Sequence, residues 1–70
     1  MLDEICRTGM KSWRNLNAVI GVLNEEQVAA MISEEMSVGH RATFITRLHQ
    51  RYTALRTARE RAELLLGSKS

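Results

Sequence analysis

The stretch Arg41-Ala-Thr-Phe-Ile-Thr-Arg-Leu-His-Gln-Arg-Tyr-Thr-Ala-Leu-Arg-Thr-Ala-Arg-Glu-Arg-Ala-Glu-Leu-Leu-Leu66 decides how this chain folds, because nothing in it stops a helix. It holds neither proline nor glycine, and Gly67 follows as a natural C-terminal stop. Apolar side chains recur at spacings of three and four: Ile45, Leu48, Tyr52, Leu55, Ala62 and Leu66, with Arg59 as the polar exception. On a helical wheel these seven positions fall within about 100°, the width of a buried stripe, with Phe44 at its edge. At 1.5 Å per residue the helix is about 39 Å long.

The rest of the 70-residue chain is too short to cover such a helix. It contains no proline and only four glycines, and no strand-like alternation runs for any useful length. Asn24 caps a second helix beginning at Glu25, with Gln27 completing a capping box and Leu23 and Val28 a hydrophobic staple. Glu25 and Glu26 suit the positive end of its dipole. This helix is expected to turn Val28, Met31, Ile32 and Met36 inward and to stop near Ser37, with Gly39 as terminator.

Upstream, Leu2, Cys6, Trp13, Leu16, Ile20 and Leu23 share a heptad-like line that Gly9 interrupts. Residues 1–11 read as a loose or helical lead-in to a helix from about residue 12, with Ser12 as its cap. The expectation is therefore one all-α domain over residues 1–67, two short helices and one long amphipathic helix, with residues 68–70 as a disordered tail.

Small size gives this architecture its functional meaning. A domain of about 60–70 residues buries little surface and is marginally stable unless a metal, disulfides or another subunit adds to it. A single cysteine, Cys6, closes no intrachain disulfide and builds no zinc site. It reads as a small apolar residue in a reducing cytoplasm. Assembly is then the expected stabiliser, as a homodimer or higher oligomer held by a coiled-coil-like seam of Ile45, Leu48, Tyr52, Leu55, Arg59, Ala62 and Leu66. A single amphipathic helix lying on its own neighbours accounts for part of the same stripe. Arg59 either pairs with a glutamate, from Glu34, Glu35 or another chain, or packs its stem and leaves its head in water.

The net charge of +2 conceals a segregation. Glu25, Glu26, Glu34 and Glu35 lie in the second helix, whereas Arg41, Arg47, Arg51, Arg56, Arg59 and Arg61 lie in the third. Complementarity between these helices is the simplest reading. The alternative is nucleic-acid binding through Arg47, Arg51 and Arg61, which project on one flank and whose planar forks suit phosphate. Few aromatics and a small excess charge weigh against it, and the third helix is too long for a helix-turn-helix.

Chemistry is sparse. His40 and His49 lack metal-site spacing, Glu34 and Glu35 are adjacent and diverge, and no glycine-rich phosphate loop occurs. The expectation is a non-enzymatic protein without cofactor or metal. No run of 18 apolar residues suggests a membrane span.

Three segments, Leu23-Asn-Glu-Glu-Gln-Val through Glu35, Arg41-Ala-Thr-Phe-Ile-Thr-Arg-Leu-His-Gln-Arg-Tyr52 and Arg56-Thr-Ala-Arg-Glu-Arg-Ala-Glu-Leu64, resemble small helical accessory proteins of tailed bacteriophages. That resemblance implies a protein that binds a host or phage protein, acting in the host cytoplasm. It implies no particular site residue.

Overall fold

The computed structural model describes residues 2–67, all of whose regular structure is helical. The expected tail at residues 68–70 lies outside the described residues. Four α-helices follow one another: α1 (Glu4–Met10), α2 (Trp13–Val19), α3 (Glu25–Glu34) and α4 (Ala42–Gly67). A 3₁₀ turn, Ile20–Val22, extends α2, and a π-helical turn, Glu35–Gly39, extends α3.

The lead-in takes its helical form, as α1, so three short helices rather than two precede α4. Ser12 separates α1 from α2, taking an extended backbone while its hydroxyl accepts the Asn15 N–H at 3.1 Å. Gly9 lets the two pieces close on each other and on α3. A Cβ there would lie 2.8 Å from Val19 and 3.2 Å from Met31. α3 begins as its sequence dictates. The Asn24 side chain accepts the Gln27 N–H at 2.8 Å and Gln27 accepts the Asn24 N–H at 2.9 Å. Gln27 also donates to Asp3 at 2.9 Å, which ties the start of α1 to α3.

The core joins Cys6, Leu16, Ile20, Leu23, Val28, Met31, Phe44 and Leu48. α2 runs parallel to α4: Trp13 meets Phe44 edge-on at 5.8 Å between ring centroids, Asn17 accepts from Arg47 at 3.1 Å, and the Gly21 carbonyl accepts from Arg51 at 3.1 Å. α3 returns antiparallel, with Glu25 beside Arg59 and Glu35 beside Arg41. Because α2 lies on the Phe44 side of α4, Phe44 enters the core and Ile45 is half-buried.

Two side chains expected inside are outside. Trp13 is 47% exposed, its ring set edge-to-face with Phe44, and Met36 is 58% exposed. The inward place falls instead to Glu35, 1% exposed, which continues the Val28, Met31 stripe at helical spacing, and the π-turn begins there. The turn closes through the His40 N–H donating to the Glu35 carbonyl at 2.6 Å.

Gly39 also plays a different part from the one expected of a terminator. The left-handed residue is His40, at φ 54°, and no described glycine has positive φ. Gly39 is required for space, because a Cβ there would strike the Glu35 carboxylate.

α4 outruns its companions. Its last buried residue is Leu48; Tyr52 and Leu55 are half-buried against the core, and residues 56–67 are all exposed. At 1.5 Å per residue that exposed tail is about 18 Å long. It accounts for dimensions of 45 × 21 × 19 Å.

Candidate functional site

The tail of α4 is the feature with most to explain. Leu64, Leu65 and Leu66 are 74%, 60% and 70% exposed, and Ala58 and Ala62 stand exposed a turn or more below them. Single exposed apolar residues are ordinary, whereas here several stand together on one helix end. The seam predicted from sequence is thus divided. Leu48, Tyr52 and Leu55 serve the protein's own core, whereas Ala62 and Leu66 face outward.

Arg59 stands where these halves meet. Its Nε donates to Glu25 at 2.7 Å and its Nη1 to Glu63 at 2.9 Å. The structure combines the two expectations, a glutamate pair and a head left in water, and the partner on α3 is Glu25 rather than Glu34 or Glu35. The antiparallel course of α3 brings its beginning, not its end, alongside this part of α4. The side chain is 50% exposed. Its two carboxylate partners, Glu25 foremost, hold the guanidinium pKa above its ordinary value.

The shoulder from which the tail emerges also carries apolar surface. Gly21 contacts α4 at Arg51 and Glu25 contacts it at Arg59, so the chain between them runs beside the base of the tail. Val22, within that segment, is 73% exposed.

The arginine flank comes together only in part. Arg47 and Arg51 are engaged with Asn17 and Gly21 and fasten α2 to α4. The Arg51 Nε is enclosed and makes no hydrogen bond. Arg61 lies farther out on the exposed tail. Two of the three cations thus hold the fold together rather than forming a continuous exposed ridge.

The other end of the molecule holds a charged site that the sequence reading passed over. The Glu35 carboxylate accepts from the Arg41 backbone N–H at 2.9 Å, from its Nε at 2.9 Å and from its Nη2 at 2.7 Å. Nη2 also donates to the Met10 carbonyl at 2.8 Å, and the guanidinium carbon sits 3.5 Å from the Phe44 ring centroid. The carboxylate therefore holds the start of α4 to the π-turn, and Arg41 carries the link on to α1. The hydrogen bonds from Arg41 hold its pKa below the ordinary carboxylate value, against the opposing effect of burial. A signal for this pair existed: the stripe Val28, Met31 continues at helical spacing onto Glu35, and a carboxylate in a core position demands a cation.

Little else suggests chemistry. An open depression of about 340 Å³ lies between Trp13 and α4, lined by Thr43, Thr46, Arg47 and Gln50. No group of three or more potential metal ligands occurs among the described residues. Among them, no helix is long and apolar enough to cross a membrane. Cys6 is a free thiol, 1% exposed, whose burial pushes its pKa up. Comparison with protein-family models, with curated proteins and with solved structures finds no match.

Proposed function

We propose that this protein acts without catalysis, through protein–protein contact, and that the exposed tail of α4 is the surface by which copies of the chain associate. The observation that carries this reading is the run of exposed residues 56–67, which ends in three leucines that are all at least 60% exposed. A helix end of this kind lowers its free energy by covering apolar area, at about 25 cal/mol per Å². Among the described residues no other element is long enough to provide that cover. The head, in contrast, has a complete small core and a paired buried charge.

Nucleic-acid binding through Arg47, Arg51 and Arg61 has less support, because the first two donate to groups of the chain's own α2 region. Assembly suits the setting that the sequence resemblance implies, an accessory protein of a tailed bacteriophage acting on a host or phage protein in the cytoplasm. Light scattering across a concentration series tests the assembly directly. The mass should rise from monomer toward dimer, and Leu65→Lys with Leu66→Lys should abolish the rise. A monomeric mass throughout would overturn the reading.

A further inference from the structure

If the α4 tails associate, their side chains dictate how. Residues 55–66 carry the last seam positions, Leu55, Arg59, Ala62 and Leu66, at alternating spacings of four, three and four. A second copy can lie beside this segment in either direction, and the two directions bring different residues together.

In a parallel, in-register pair, equivalent seam positions face each other. Arg59 would meet Arg59 of the second copy, and Ala62 would meet Ala62. Like charges are thereby brought close at Arg59, and the alanines leave a gap between them.

The antiparallel pair reverses each of these. Leu55 faces Leu66 of the second copy, and the Arg59 stem lies over Ala62, whose small side chain leaves it room. Arg59 can keep its own partners, Glu25 and Glu63, because its head already points to solvent. On one flank Ala58 faces the exposed Leu65 of the second copy, a large side chain over a small one. On the other flank Arg56 faces Glu63, twice over by symmetry. In the single chain these two groups have only surface pairs one helical turn away, Glu60 at 3.5 Å and Arg59 at 2.9 Å respectively.

A second observation agrees with this direction. Antiparallel tails carry each leucine end back toward the base of the other tail, where Val22 stands 73% exposed beside α4. A parallel pair would leave the leucine ends and the Val22 shoulders at opposite ends of the seam.

We infer that two copies of this chain pair through their α4 tails in antiparallel orientation, about a two-fold axis near Glu60, with Arg56 of each copy opposite Glu63 of the other. This rests on the self-association proposed above and adds its geometry.

Spin labels at two sites separate the two claims. His49 and Glu60 are both exposed and lie on a similar face of α4, so His49→Cys and Glu60→Cys place labels without disturbing the core. Cys6, at 1% exposure, stays in place, and the unsubstituted protein is the labelling blank. Antiparallel pairing predicts label pairs offset along the axis by about 34 Å at His49 and by almost nothing at Glu60. The His49 pair should therefore be much the more distant. Similar distances at both sites would overturn the orientation while leaving self-association intact. No dipolar coupling at either site, at a concentration of several hundred micromolar, would overturn both.

Discussion

Glu35 is fully enclosed, whereas Arg41, which gives it three hydrogen bonds, keeps 39% of its side chain in contact with solvent. The two partners of this ion pair are therefore not equivalent. The carboxylate has no recourse to water, and the guanidinium has.

Removing either partner should thus give unequal losses. Arg41→Ala leaves a buried carboxylate without its cation and should cost about 3–5 kcal/mol. Glu35→Gln keeps the shape and leaves an arginine that can turn toward water, so it should cost about 1–3 kcal/mol. Urea midpoints for the two variants check the order; equal losses would mean that the carboxylate is less enclosed than the structure places it.

The pair also makes stability depend on acid. The Glu35 pKa is depressed in the fold by the hydrogen bonds from Arg41, so on acidification the unfolded chain takes up this proton first. Its contribution is complete above the ordinary carboxylate pKa of about 4.3. It is lost as pH falls from there through the depressed folded value. Denaturation curves at pH 7 and pH 3 should show the gap between the unsubstituted protein and Glu35→Gln shrinking at the lower pH.

The turn that positions Glu35 can be improved and spoiled by single substitutions. His40 holds a left-handed conformation at φ 54°, where a side chain is disfavoured. His40→Gly should stabilise by about 0.5–1 kcal/mol, a rise of roughly 2–8 °C in melting temperature. Gly39→Ala should lower the melting temperature instead, because its methyl would displace the Glu35 carboxylate. Calorimetry on the two neighbours gives opposite signs if this account of the turn is right.

In the proposed assembly Arg59 bears on association more than on the fold. It sits half-exposed at the edge of the α3 contact. Arg59→Leu should leave the unfolding transition of the head nearly unchanged while strengthening self-association. It should also admit the parallel arrangement that facing arginines disfavour. Sedimentation should show tighter binding with a broader distribution of species; an unchanged distribution would mean that Arg59 lies outside the contact.

These contrasts explain how far the sequence could be read. The α3 start was legible to the residue, because Asn24, Gln27 and the staple are local signals acting within one turn. The length of α4 was legible from the absence of breakers, and its excess over the companions from counting residues. The restart at Ser12 was legible as a cap, but the helical state of residues 4–10 and the inward place of Glu35 were not resolved, because both depend on how helices meet. Gly9 gains its meaning only when Val19 and Met31 close over it. Glu35 lies inside at ordinary helical spacing from Val28 and Met31, and the cation that satisfies it there, Arg41, comes from beyond the helix. The Arg59 partner was missed for the same reason: charge segregation named the helix, and only chain direction selects Glu25.

The central claim is that the exposed end of α4 is a self-association surface. Sedimentation equilibrium from roughly 5 to 500 µM tests it most directly, a range suited to an interface at the small end of the known sizes. The account predicts a reversible monomer–dimer equilibrium that Leu66→Glu weakens at least tenfold, with the helical content of the head preserved. A single monomeric mass across the whole range, or a dimer indifferent to Leu66→Glu, would contradict it.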